Sequence, residues 1–73
     1  MEPKTHWHYY TDVVGDWYTA RRAYFKVEVN SETRSAVRDP IEIGVEEFTN
    51  VWQQAIGNTG AKAEGNEESF RLV

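Results

Sequence analysis

Two histidines and an aspartate are the first residues able to do chemistry. Residues 6–14 alternate Trp7, Tyr9, Thr11 and Val13 with His6, His8, Tyr10 and Asp12. Alternate side chains of a strand share a face, so His6, His8 and Asp12 could offer two imidazole nitrogens and a carboxylate to one divalent ion. The sequence supplies no fourth ligand and no group to orient the rings. A pair of solvent-facing histidines near a chain end accounts for the same pattern, so no metal and no other cofactor is expected. Catalysis without a metal would need a nucleophile–base pair or paired carboxylates in a pocket. The carboxylates instead fall on turns, at a helix start and in a polar tail, where water solvates them. No phosphate-cradling glycine loop and no recognisable nucleophile setting occurs. The chain is expected not to be an enzyme.

Two binding surfaces remain. Trp17, Tyr18, Arg21 and Arg22 cluster in a segment of irregular pattern, and exposed Trp, Tyr and Arg are the residue types that anchor protein interfaces. Glu42, Glu46 and Glu47 add an acidic surface suited to a basic face of a partner. The alternative is nucleic acid. Tyr10, Arg22, Tyr24, Lys26, Arg34 and Arg38 would share the outward face of a sheet, stacking bases and neutralising phosphates. Acidic residues interleave with that set, and the aromatic motif of RNA-recognition sheets is absent.

The elements that must position these residues follow from periodicity. Residues 23–29 alternate Ala23, Phe25, Val27 and Val29 with Tyr24, Lys26 and Glu28, which predicts a central strand whose first set faces the core. Residues 6–14 predict another strand, with Trp7, Tyr9 and Val13 inward. Gly15-Asp16 signals a turn between them, and the broken parity of residues 17–22 predicts a bulge or irregular lead-in near Arg21-Arg22. After the polar cluster at residues 30–33, residues 34–43 predict a third strand at an edge or broken at Pro40, with Val37, Ile41 and Ile43 inward. Residues 45–56 then change period. Val45, Phe48, Val51, Trp52, Ala55 and Ile56 form one apolar helical stripe, Glu46 and Glu47 suit the positive end of the helix dipole, and Gly57 suits its C-terminal cap.

Residues 58–69 carry no apolar side chain larger than Ala and predict a flexible loop or tail. Residues 70–73 are apolar enough to dock as a short fourth strand, a point the sequence leaves open. The expected architecture is one α+β domain over residues 1–57, a three- or four-stranded, mostly antiparallel sheet covered by one helix. Its core would hold Trp7, Tyr9, Val13, Phe25, Val27, Val29, Val37, Ile41, Phe48, Val51, Trp52 and Ile56, and Phe25→Ala would cost about 3–5 kcal/mol.

Composition bounds the rest. In 73 residues only one small, marginally stable domain is expected. Aromatics reach 14%, with three Trp and four Tyr, so a few large rings can fill a small core. There is no cysteine, which removes disulfides and thiolate metal sites. No apolar run approaches the ~20 residues of a membrane span, and residues 1–6 hold no secretory apolar stretch, so a cytoplasmic protein is expected. The net charge of −4 sits wholly beyond residue 41, which disfavours long-range attraction to nucleic acid.

With its strand at residues 23–29, its helix at 45–56 and the acidic Glu42, Glu46 and Glu47, the layout resembles the very small proteins that bacteriophages make to seize host machinery, notably inhibitors of bacterial RNA polymerase. The likeness is one of size and architecture, without a shared motif, so it implies no site residues. It implies a non-enzymatic protein-binding module that inhibits or regulates a host macromolecular machine in the host cytoplasm, with RNA polymerase as first partner.

Overall fold

The computed structural model describes residues 4–57 and 63–72. The fold is α+β: β1 (Thr5–Val14), β2 (Arg21–Asn30), β3 (Ile41–Ile43), α1 (Val45–Gly57), β4 (Ala63–Asn66) and β5 (Ser69–Leu72). The five strands form one antiparallel sheet in the order β3-β2-β1-β5-β4, with α1 on one face. The sheet is thus larger than expected, and β1 lies at its centre.

The extra strands come from the polar stretch. Residues 58–62 of the expected tail lie outside the described residues, as do 1–3 and 73. Ala63–Asn66, however, is a strand. Ala63 is its one apolar side chain, and the strand is held chiefly by its backbone pairing with β5, from Ala63↔Leu72 to Asn66↔Ser69. Asn66 closes the turn between them: its Oδ1 accepts from the backbone N–H of Glu68 at 2.8 Å and of Ser69 at 3.1 Å. Asn30 uses the same device after β2, accepting from Glu32 and Thr33 at 2.8 and 3.1 Å.

The core corrects the sequence reading most sharply. β1 and β2 pair without a break from Thr5↔Asn30 to Val14↔Arg21, so no bulge forms at Arg21-Arg22. In that register Tyr9 stands opposite Lys26 and Thr11 opposite Tyr24, which puts Tyr24, Lys26 and Glu28 on the side of Trp7 and Tyr9. That is the helix side. Phe25, Val27 and Val29 face away from it, beside His6, His8 and Tyr10. A shift of one residue in pairing exchanges every side chain between faces, and alternation within one strand cannot say which face the helix will take.

Aromatic rings fill the core. Phe70, fully buried, stacks on Tyr9 at 5.1 Å between centroids and meets Phe48 at 5.3 Å and Trp52 at 5.0 Å. Tyr24 closes on Phe48 at 5.0 Å, and Ile43, Val51, Ala63 and Leu72 pack around them. Burial raises the Tyr9 phenol above its ordinary value, with Lys26 opposing and Glu47 adding to the shift. Lys26 is accommodated here because its stem carries the ammonium to Glu47 of α1 at 3.1 Å, 5.3 Å from the Trp7 ring centroid. Val13, Val37, Ile41 and Ile56, expected inside, are exposed. The third strand shrinks to Ile41–Ile43, preceded by a single bridge between Val29 and Ala36; residue 34 takes a positive φ of 61°.

Candidate interaction arm and groove

β1 and β2 outrun their neighbours. β5 pairs only with residues 8–10 of β1, followed by one bond from the Thr11 N–H to the Glu68 carbonyl at 3.1 Å. β3 pairs only with residues 24–26 of β2. Residues 12–23 therefore continue as a two-stranded arm, with no third strand beside them among the described residues.

The arm ends in an ordered turn. The Asp16 N–H donates to Thr19 Oγ1 at 2.9 Å, and the Thr19 N–H donates to the Asp16 carbonyl at 3.1 Å. Gly15 enters it at φ +98°, where a Cβ would stand 2.8 Å from the Thr19 carbonyl oxygen. Trp17 and Tyr18 occupy the two central positions of this turn. Their rings pack edge to face at 4.9 Å, and they are 90% and 70% exposed. Two large rings in water, on a backbone already fixed by the turn, would lose little entropy if a partner docked on them.

At the base of the arm lies an open groove of about 420 Å³ between the arm and the near flank of α1. Tyr24, Trp52 and Ile56 give it an apolar lining, Arg22 lies at its arm side, and Glu67 and Glu68 come from the β4–β5 turn. Ile56 is 62% exposed and Val13, on the same face of the arm, 58%. Sequence reasoning missed this groove. The helical stripe contains Trp52 and Ile56, but which flank of α1 stays uncovered depends on where the strands end.

The expected contact residues divide. Trp17 and Tyr18 are at the tip. Arg21 and Arg22 lie just behind it on opposite faces: Arg21 is paired with Glu42 at 3.0 Å on the side away from the helix, and Arg22 Nη1 donates to Thr11 Oγ1 at 2.8 Å on the helix side. Glu46 and Glu47 sit in the first turn of α1, Glu47 engaged with Lys26. The six residues considered for nucleic acid do not share a face. Tyr10 points away from the helix, Arg22, Tyr24 and Lys26 toward it, and Arg34 and Arg38 belong to the connection before β3, where Arg38 stands 3.6 Å from Glu28.

His6 and His8 do share a face but do not converge. His6 Nδ1 shares a hydrogen bond with Ser31 Oγ at 2.9 Å, and His8 Nε2 with Ser69 Oγ at 3.1 Å. Burial lowers the His8 pKa below 6.5, helped by His6 and Arg71. Among the described residues no cluster of three or more His, Cys, Asp or Glu could hold a metal ion. Nor is any helix among them long and apolar enough to cross a membrane.

No protein-family model, curated protein or solved structure matches the chain.

Proposed function

We propose that the chain is a non-enzymatic protein-binding module that inhibits or regulates a macromolecular machine of a host cell, acting in the cytoplasm and anchored by Trp17 and Tyr18. The observation that carries this reading is the pair of exposed rings on a hydrogen-bonded turn at the end of a projecting arm. Aromatic side chains in such a setting are the commonest source of binding energy at interfaces. Blocking a moving element or occupying a partner's site needs no chemistry from the chain itself. Bacterial RNA polymerase is the first partner to test, on the likeness in size and layout to phage inhibitors. Division of the basic and aromatic residues between faces speaks against the alternative of a nucleic-acid-binding sheet.

The test is capture of purified RNA polymerase by the tagged chain, alongside a pull-down from bacterial lysate with and without nuclease. Polymerase should be retained after nuclease and lost with Trp17→Ala combined with Tyr18→Ala, while that variant keeps its thermal midpoint. Capture that disappears with nuclease would assign binding to nucleic acid. Capture indifferent to the double substitution would remove the arm from the site.

A further inference from the structure

The end of the sheet opposite the arm is basic, in a chain that is acidic as a whole. A cavity of about 510 Å³ opens there between the start of β1, the turn after β2 and the end of β5. Lys4, His6, Arg34 and Arg71 line it with the hydroxyl-bearing Thr5 and Ser31, and no carboxylate does. Two acids touch lining residues, and each already faces a guanidinium. Glu64 is paired with Arg71, and Glu28, which accepts from Thr5 Oγ1 at 2.8 Å, stands 3.6 Å from Arg38. Glu32, in the same turn as Arg34, is exposed and outside the lining. Lys4 and Arg34 have no carboxylate partner among the described residues. The cavity thus holds two uncompensated cations, although the net charge of the chain is −4.

The backbone at Arg34 points the same way. The Asn30 carbonyl accepts from the Arg34 N–H at 2.7 Å, and the Asn30 N–H donates to the Ser35 carbonyl at 2.9 Å. That closure holds Arg34 at φ 61°, a left-handed conformation that suits Gly or Asn and not a long side chain. Among the described residues it is the one non-glycine with a positive φ. Strained backbone of this kind gathers at ligand-binding positions, where the side chain itself is required. His6 prepares a further donor. Its Nδ1 lies 2.9 Å from Ser31 Oγ, so with the proton on Nδ1 the ring donates and leaves the Ser31 hydroxyl hydrogen for the cavity.

We propose that this cavity binds the terminal phosphate of a small phosphate monoester. Two free cations match the charge of such a group, about −1.5 to −2 at pH 7, better than they match the single charge of a diester or a carboxylate. Arg34 brings a planar fork and Lys4 a point charge, the two kinds of donor that phosphate oxygens accept from. The cavity is larger than one phosphate group, and Leu72 in its wall offers an apolar contact to the organic part. A nucleic-acid strand would need a longer basic track than one cavity provides. β1, ten residues long, separates the site from the arm by about 30 Å, so it does not depend on the proposed function.

Titration of the isotope-labelled chain with phenyl phosphate, inorganic phosphate and phenyl sulfate, followed by amide chemical shifts, tests the proposal. Phenyl phosphate should bind saturably and shift the amides of His6 and of residues 31–35. Inorganic phosphate should shift the same amides with lower affinity. Phenyl sulfate, of the same shape with one charge, should bind about fivefold more weakly. Arg34→Asn should weaken phenyl phosphate at least about tenfold, the loss of one charge-assisted donor, while its thermal midpoint holds or rises because Asn accepts the left-handed position. Lys4→Gln should weaken binding in the same sense. Arg21→Gln, which removes the same charge at the far end of the molecule, should leave it unchanged. Absence of saturable binding, equal affinity for phenyl sulfate or inorganic phosphate, or full affinity in Arg34→Asn would overturn the proposal. An oligonucleotide without a terminal phosphate that bound more tightly than phenyl phosphate would assign the cavity to nucleic acid instead.

Discussion

On the helix side of the sheet, Tyr9, Phe48, Phe70 and Trp52 interlock between two layers; on the other side Ala23, Phe25, Val27 and Val29 have no helix or strand layer above them among the described residues. Yet Ala23 and Val27 are as buried as the core proper, at 2% and 7% exposure. Within the sheet, Val27 stands opposite His8 and Phe25 opposite Tyr10, whose ring stacks on that of Phe25 at 5.3 Å. Small side chains between tall neighbours lose their water without being packed from above. Low exposure therefore describes two conditions here: interlocking between layers, where removing a ring leaves a cavity, and shielding within a layer, where neighbours and water can fill the space.

The comparison predicts a large inequality between two phenylalanines. Phe70→Ala should cost about 3–5 kcal/mol. A chain of this length has roughly 4–11 kcal/mol of stability in all, so thermal unfolding should shift drastically or vanish. Phe25→Ala should cost about 1–2 kcal/mol, because its ring is only half-buried and its chief contact is one stacked partner. Its melting curve should remain cooperative, lowered by about 4–8 °C for each kcal/mol. Equal losses in the two variants would end the distinction between the faces.

A smaller effect probes the Lys26 ammonium on the helix side. Lys26→Met keeps the stem over Trp7 and removes the ion pair with Glu47, which solvent screens, so denaturant titration should find a change below about 1 kcal/mol. Lys26→Ala removes the stem as well and should cost more. If the methionine variant were the worse of the two, charge would outweigh packing at this position.

The smallest expected effect belongs to the open face and concerns pH. Burial holds the folded His8 pKa below 6.5, so the unfolded chain takes up this proton first as pH falls. The unfolded state then binds more protons, and stability declines from pH 6.5 down to the folded value, below which the contribution is constant. The difference in thermal midpoint between pH 7.5 and pH 5.5 should accordingly be smaller in His8→Gln than in the wild type. An unchanged difference would show that His8 is not taking part.

Much of this was legible in the chain. The helix stands where the stripe from Val45 to Ile56 and the acidic first turn place it, and β1 and β2 lie where alternation marks them. The exposed pair Trp17 and Tyr18 falls in the segment whose pattern fits no regular strand. β4 was not legible, because Ala-Glu-Gly-Asn has no apolar signal and exists as a strand through β5. The groove was not legible either, since it is formed by the ends of elements that carry no mark of where their neighbours stop.

The sequence by itself determined where β1, β2 and α1 would form and that aromatic rings would fill the core, because periodicity and side-chain size act locally. Only the tertiary structure decided which face of β2 the helix covers. Phe25, Val27 and Val29 are the more apolar set, but the register that sets Tyr9 beside Lys26 gathers Trp7, Tyr9, Tyr24 and Phe70 on the opposite side. The larger joint surface of those rings, contributed by three strands at once, outweighs the preference of any single strand.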